Sequence, residues 1–194
     1  EFMIVPSGAK DFAQVMKWSM EIYHNLKKIL SSKNYSTAVG DEGGFAPNLK
    51  SNEEAIELII ASIETTKLKP GVDVNIALDC AATEFFDGNN YVLNGDNKKY
   101  TSEEFTEYLD SLITKYPIIS IEDAMDENDI DGWKIITKKL GKKCQLVGDD
   151  LFVTNKNIFQ EGINKKLANS ILIKFNQVGT ITETIETINC AREN

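Results

Sequence analysis

An α/β fold with a largely parallel sheet is predicted by three observations along the chain. Short apolar runs alternate with longer segments whose apolar residues recur at helical spacing. The runs are apolar on consecutive residues, which is typical of strands covered on both faces. Four of them end in a residue that can bind a metal or carry a proton. In barrels built from alternating strands and helices, such residues meet at the carboxyl ends of the strands, where the chemistry takes place.

The first part of the chain is predicted to contain one strand and two helices. Residues 2–5 form a short apolar strand, and residues 11–30 form a helix with apolar residues at helical spacing. A glycine-rich loop follows at residues 39–48. Residues 51–54 read as a capping box that opens the second helix, and Pro70-Gly71 ends it.

The rest of the chain is predicted to repeat strand and helix. The apolar runs end, in order, at Asp79, Glu122, Asp149 and Lys174. Residues 85–93 are predicted to form a small hairpin between the first two of these runs, with its turn at Asp87-Gly88 or at the following Asn pair. Capped helices separate the later strands.

The two helices before Asp79 determine the direction of the first strand. If Asp79 lies at the mouth of a barrel, the helix before its strand runs away from the mouth, so the loop at residues 39–48 lies there. The first strand is then antiparallel to the others and begins at the mouth. The connectivity therefore predicts that Glu1 and Glu42 join the four strand-end residues.

Composition excludes several classes of protein. The net charge of −9, from 21 basic and 30 acidic residues, argues against a nucleic-acid surface. No run of about 18 apolar residues is present, so no membrane span is expected. The first residues have no basic region typical of a secretory signal. Three separated cysteines favour reduced thiols in a cytoplasmic protein.

The strand-end residues predict a metal site. The carboxylates of Asp79, Glu122 and Asp149 would repel one another unless a cation neutralised them. Oxygen ligands without His or Cys favour a hard ion, and Mg²⁺ before Zn²⁺. Asp123 and Asp150, which follow two of these residues, are interpreted as partners of the ligands or as helix caps.

A base and an acid are predicted beside this metal. Lys174 follows an apolar strand directly, so we expect it to be buried, and a nearby cation would lower its pKa and let it act as a general base. Glu42 lies in a flexible glycine-flanked loop that could close over a substrate and deliver a proton. Together these groups predict proton abstraction next to a carboxylate, followed by loss of a leaving group.

Several motifs make the chain similar to enolase (phosphopyruvate hydratase), and most similar to bacterial enolases. They are Glu1-Phe2-Met3-Ile4, Val39-Gly40-Asp41-Glu42-Gly43-Gly44, Leu78-Asp79-Cys80-Ala81, Ser120-Ile121-Glu122-Asp123, Gly148-Asp149-Asp150-Leu151-Phe152-Val153-Thr154-Asn155 and Leu172-Ile173-Lys174-Phe175-Asn176-Gln177-Val178-Gly179-Thr180. The resemblance covers nearly the whole chain. It implies a TIM-like (β/α)8 barrel of the enolase type, ββαα(βα)6, of which about six strands are expected here.

The resemblance also implies an activity and roles for individual residues. The activity is that of a glycolytic lyase, the Mg²⁺-dependent dehydration of 2-phosphoglycerate to phosphoenolpyruvate. The implied metal ligands are Asp79, Glu122 and Asp149, with Lys174 as the base at C2 and Glu42 as the acid at the C3 hydroxyl. Glu1 and Asp150 would belong to the polar network around that hydroxyl. The substrate would contact Glu1, Glu122, Asp149 and Lys174.

The resemblance further implies that residues 1–194 are part of a C-terminal barrel domain. The family's N-terminal α+β domain and last barrel elements, with a phosphate-binding Ser-His-Arg-Ser motif, are expected to lie outside them, so the chain alone is expected to have little activity. Enolases are usually cytoplasmic homodimers, and some bacterial ones also occur at the cell surface. Two alternatives stay open: another carboxylate proton-abstraction enzyme of the superfamily, and a non-catalytic binding fragment.

Overall fold

A computed structural model describes residues 1–95 and 97–194 and divides them into two compact units. The N-terminal unit comprises Phe2–Ile76 with Asn94–Asn97, and the C-terminal unit comprises Glu1, Ala77–Leu93 and Lys98–Asn194.

The N-terminal unit contains β1 (Phe2–Val5), α1 (Phe12–Ser32), α2 (Asn52–Thr65) and the start of β2 (Asn75–Asp79). The two helices pack against each other through buried aliphatic side chains, among them Ile22, Leu30, Ile56 and Ile63. Each helix begins at a side-chain cap, because Asp11 accepts from the backbone of Gln14 and Ser51 accepts from that of Glu54. Both predicted helices are confirmed.

The antiparallel direction of the first strand is also confirmed. Glu1 and Asp79 exchange both backbone hydrogen bonds (2.5 and 2.9 Å), which is the pattern of an antiparallel pair. Beyond the end of β1, in the N-terminal unit, Gly8 N donates to Asp73 O at 2.9 Å. A Cβ atom at Gly8 would lie 2.8 Å from the Cα of Asp73, so this close approach requires glycine.

The C-terminal unit is built on a sheet whose strands run in the order β2, β5 (Ile118–Glu122), β6 (Gln145–Gly148) and β7 (Ser170–Ile171). β5, β6 and β7 are parallel. The helices of this unit are α3 (Ser102–Lys115), α4 (Ile130–Leu140), α5 (Lys156–Lys165), the short α6 (Phe175–Val178) and α7 (Ile181–Glu193). The consecutive apolar residues of β5 and β6 include fully buried Ile121 and Leu146, as expected of covered strands.

The predicted hairpin at residues 85–93 is only partly correct. A helical turn at Ala82–Phe85 and a tight turn in which Asp87 N donates to Asn90 O (2.9 Å) occupy its first half. The longer pairing joins β3 (Tyr91–Leu93) to β4 (Lys98–Tyr100) in a separate two-stranded sheet. β4 was not predicted because Lys98 and Lys99 are exposed polar residues without an apolar alternation.

The main sheet is open. With β1 it has five strands, where about six were predicted, and it does not close into a barrel within the residues that the structure describes. The α/β class, the parallel strands and the helices between them agree with part of a (β/α)8 barrel. None of the helices in the described ranges combines the length and apolar content needed to cross a membrane.

Candidate functional site

The carboxylates predicted to bind metal all lie at strand ends of the C-terminal unit. Asp79 is the last residue of β2, Glu122 is the last residue of β5, and Asp149 directly follows β6. The parallel register places Glu122 opposite Val147. Because adjacent parallel strands end at the same edge of the sheet, this register brings the two carboxylate-bearing ends side by side.

Asp149 is the most enclosed of these carboxylates, with 6% of its surface exposed. One of its oxygens accepts a hydrogen bond from Lys174 Nζ, and the other accepts from Gln177 Nε2 at 2.8 Å. The buried charge is therefore compensated by an ammonium group and an amide, as a buried carboxylate requires.

Glu122 is in a less favourable environment. Partial burial, followed in importance by the negative charges of Asp79, Asp149 and Asp123, raises the pKa of its carboxyl to about 7, against an opposing effect of Lys174. A carboxyl group with such a pKa is only partly ionised at neutral pH, and additional positive charge nearby would favour its ionised form. This crowding of negative charge would favour a bound cation, and the ligand set of Asp79, Glu122 and Asp149 stays a prediction.

Asp123 holds the two strand ends together. Its buried carboxylate accepts hydrogen bonds from the backbone nitrogens of Asp149 and Asp150, both at 2.9 Å. Its backbone adopts a left-handed φ of 39°, which is uncommon outside glycine. Burial raises the pKa of Asp123 to about 6, although the two backbone hydrogen bonds lower it. The interpretation of Asp123 as a partner of the ligands agrees with this geometry.

One group of carboxylates is close enough to share an ion. Oxygens of Asp123, Asp149 and Asp150 lie within 4.8 Å of one another, and Asp150 is exposed to solvent. This group overlaps the predicted ligand set only at Asp149. The Oδ1 atom of Asp79 instead accepts from the backbone of Ala81 at 3.0 Å.

Lys174 differs from its prediction in its burial. Its side chain is 44% exposed, so the expected burial is wrong. The reason is that β7 ends at Ile171, and Lys174 lies at the start of α6 instead of at the end of a covered strand. The hydrogen bond to Asp149 raises the pKa of the lysine. The lowering of this pKa by a bound cation stays a prediction.

Two residues of the site were not anticipated as functional. Thr154 is fully buried, and its hydroxyl accepts from Lys174 N at 2.9 Å and donates to Gln177 Oε1 at 2.7 Å. Gln177 lies in α6 and donates to Asp149. Their spacing in the sequence gives no functional signal, because neither residue ends an apolar run; both lie in motifs that carry the resemblance to the family.

Glu1 lies beside Asp79 through the paired backbone hydrogen bonds, with its own side chain exposed. This agrees with the connectivity argument for its position.

Glu42 belongs to the N-terminal unit, where it is exposed in a tight turn. Gly43 N donates to Gly40 O (3.0 Å), and Gly43 has a φ of 82°, which suits glycine. The Tyr23 hydroxyl donates to Gly43 O at 3.0 Å, and the Tyr23 ring stacks on that of Phe45 with centroids 4.4 Å apart. The position of Glu42 at the mouth of the site stays a prediction.

The fold and the site define an α/β protein of the barrel class, with its ionisable residues at the carboxyl ends of parallel strands. The sequence matches the family described as enolase, C-terminal TIM barrel domain, over residues 1–194, and the chain belongs to that family. Membership supports a function of the enolase-superfamily kind, and the acidic cluster of the C-terminal unit could hold a metal ion.

Proposed function

We propose that the chain carries the core of the catalytic site of an enolase, of bacterial type, which dehydrates 2-phosphoglycerate to phosphoenolpyruvate as a cytoplasmic lyase of glycolysis. The observation that carries the proposal is the pairing of Asp149 with Lys174 beside Glu122, at neighbouring strand ends of a chain from this family. A metal-binding carboxylate and a proton-accepting lysine are the two groups that abstraction of a proton next to a carboxylate needs.

The donor set fits Mg²⁺. All candidate ligands are carboxylate oxygens, which suit a hard divalent ion, and the raised pKa of Glu122 reflects a local excess of negative charge. We assign Asp79, Glu122 and Asp149 as ligands. Asp123 has both oxygens engaged with the backbone nitrogens of Asp149 and Asp150, so we assign it to holding the turn after β6. Bound Mg²⁺ supplies Lewis-acid stabilisation of the charge that develops on the substrate carboxylate.

Lys174 is assigned as the base that takes the proton from C2. Its half-exposed side chain leaves the ammonium nitrogen within reach of a small substrate. The lysine must lose its own proton first, and its hydrogen bond to Asp149 is the main cause of its raised pKa. Any weakening of that bond therefore lowers the pKa and prepares the lysine to act as a base.

Glu42 is assigned as the acid that protonates the leaving C3 hydroxyl, with Glu1 and Asp150 in the polar network around that hydroxyl. The support for these roles is the Gly-Asp-Glu-Gly-Gly sequence of the turn and the pairing of Glu1 with Asp79. The exposed position of Glu42 in its turn agrees with a group that donates a proton to a bound substrate.

We also propose that residues 1–194 form part of a larger barrel domain, which acts as a homodimer. The support for the larger barrel is the open sheet of five strands, since barrels of this class have eight. The support for the homodimer is membership of the enolase family alone.

The proposal is tested with a substrate panel. The 194-residue chain and the longest product of the same coding region are assayed with Mg²⁺ for dehydration of 2-phosphoglycerate, and for exchange of its C2 hydrogen with solvent deuterium. We expect the longer product to perform both reactions, Lys174→Ala to abolish both, and Glu42→Gln to retain the exchange while losing dehydration. Turnover of a different carboxylate in place of 2-phosphoglycerate would show another activity of the superfamily. Inactivity of both products on every carboxylate would refute the enzymatic assignment.

A further inference from the structure

Four residues of the C-terminal unit form a closed ring of hydrogen bonds, which we call the Asp149 ring. Lys174 Nζ and Gln177 Nε2 each donate to a different oxygen of Asp149, the second at 2.8 Å. Thr154 Oγ1 closes the ring by donating to Gln177 Oε1 (2.7 Å) and accepting from Lys174 N (2.9 Å). One threonine hydroxyl thus connects the partners of both carboxylate oxygens.

Thr154 is held firmly in this position. It is fully buried, and both it and the preceding Val153 have left-handed φ angles, of 55° and 43°. β-Branched residues rarely adopt such angles, so the surrounding structure must maintain them. Part of that support is the Thr187 hydroxyl of α7, which donates to Thr154 O at 2.9 Å.

The direct ion pair would not by itself define the position of Lys174. The lysine side chain is flexible and 44% exposed, and such pairs lose part of their strength to solvent and to side-chain entropy. The Asp149 ring adds two constraints, one on the backbone of Lys174 and one on the second oxygen of Asp149.

We propose that Thr154 and Gln177 are positioning residues that hold Asp149 and Lys174 in one mutual arrangement. This inference rests on the proposed function, in which Asp149 binds the cation and Lys174 accepts the proton. Partners that orient metal ligands typically contribute 10–100-fold to metal affinity. Thr154 and Gln177 therefore act on the ligand and the base through oriented hydrogen bonds, without contacting the substrate.

The test compares Thr154→Val with Thr154→Ser in the 194-residue chain. Valine preserves the shape of threonine but can neither donate nor accept, whereas serine keeps the hydroxyl. Thr106→Val is the matched control, because Thr106 is also buried and its hydroxyl donates only within its own helix, to Ser102 O (2.8 Å). Gln177→Met removes the amide but keeps a side chain of similar length. It provides a second test of the ring if Thr154→Val does not fold.

Two quantities are measured on each variant. The first is Mg²⁺ affinity by calorimetry, which we expect to fall about tenfold in Thr154→Val and Gln177→Met and to stay within about threefold in Thr154→Ser and Thr106→Val. The second is hydrogen exchange of the Lys174 backbone amide in metal-free protein. We expect exchange about tenfold faster in Thr154→Val than in the wild type or in Thr154→Ser.

The outcomes separate the ring from the proposed metal site. Equal amide exchange and equal Mg²⁺ affinity in Thr154→Val and Thr106→Val would overturn the positioning role, as would failure of serine to preserve the wild-type values. Absence of Mg²⁺ binding by the wild type would instead refute the metal site, and with it the positioning of a metal ligand, while the amide exchange would still report whether the ring forms.

Discussion

Asp149 and Glu42 are both acidic residues assigned to catalysis, but the two regions around them are built differently. Asp149 is buried, and both of its oxygens have side-chain partners. Glu42 is exposed in a turn whose backbone is held by Tyr23. A carboxylate at a strand end is oriented by the fold itself, whereas a carboxylate in a turn keeps its rotational freedom. The comparison indicates that substitutions at the strand ends affect binding and stability, and that those in the turn affect a later chemical step.

The largest effect on Mg²⁺ affinity is expected from Asp149→Asn. The substitution removes the charge that pairs with Lys174 and a ligand of the proposed Mg²⁺ site. Loss of a residue that only orients a metal ligand lowers metal affinity by up to about 100-fold. Because Asp149 is itself a proposed ligand, we expect Mg²⁺ affinity to fall by more than that. Calorimetric titration measures it. Asp87→Asn is the control, because Asp87 also pairs with a lysine, Lys99 at 2.7 Å, but at an exposed site. Similar affinities in both variants would contradict the ligand assignment.

Asp123→Asn is expected to destabilise the chain. The variant loses a charged acceptor. Its amide NH₂ group is a donor, and it would face one of the two backbone N–H groups that donate to the carboxylate in the wild type. Buried hydrogen bonds to a charged group contribute about 1.5–3 kcal/mol, so we expect the free energy of unfolding to fall by about 2 kcal/mol. Urea denaturation measures this change. The exposed Asp131, paired with Lys134, provides the control Asp131→Asn, for which less than about 0.5 kcal/mol is expected.

The stability of the metal-free chain is expected to depend on pH because of Glu122. Its pKa rises from 4.5 to about 7 on folding, so between these values the folded chain binds more protons than the unfolded chain. The contribution of this group to the free energy of unfolding therefore decreases as pH rises from 4.5 to about 7. We expect a decrease of about 1–2 kcal/mol after discounting for solvent screening.

Thermal unfolding at a series of pH values, in the presence of a chelator, measures this dependence. Glu122→Gln should reduce the slope of the profile, since its amide does not titrate, and the raised pKa of Asp123 accounts for the slope that remains. A wild-type profile that rises over this interval, or one that Glu122→Gln leaves unchanged, would contradict the crowding of carboxylates at the strand ends.

The smallest change in stability is expected at the turn. Glu42→Gln replaces an exposed side chain, so we expect the free energy of unfolding to change by less than about 0.5 kcal/mol and Mg²⁺ affinity to stay unchanged. Tyr23→Phe removes one hydrogen bond to Gly43 O and should destabilise by about 1 kcal/mol. Chemical denaturation measures the free energy of unfolding of both variants. A loss of Mg²⁺ affinity in Glu42→Gln would contradict the assignment of metal binding to the strand ends and not to the turn.

Most of the architecture could be predicted because it depends on local patterns. The 3.6-residue periodicity and the capping signals that begin at Ser51, Thr101 and Thr180 located the long helices within a few residues. The antiparallel first strand followed from connectivity alone. The pairing of β3 with β4 was missed, because a short polar strand at the edge of a sheet has no periodic signal.

The candidate site was predicted less completely. Apolar runs that end in Asp79, Glu122 and Asp149 identified the strand ends, since a strand carries its last residue to the edge of the sheet. The burial predicted for Lys174 was wrong because β7 is two residues long and the lysine lies beyond it. Thr154 and Gln177 are 23 residues apart and meet only through the packing of the loop after β6 against α6.

The sequence by itself determined the α/β class, the order of the elements and the acidic residues at the strand ends, because these depend on neighbouring residues and on the alternation of strand and helix. The tertiary structure decided which groups meet, in the Asp149 ring and in the hydrogen bonds that the turn after β6 donates to Asp123. It also decided the burial and the neighbouring charges that raise the pKa of Glu122, and the hydrogen bond that raises the pKa of Lys174. Hydrogen bonds and charge interactions act over a few ångströms between residues far apart in the chain, so no local pattern encodes them.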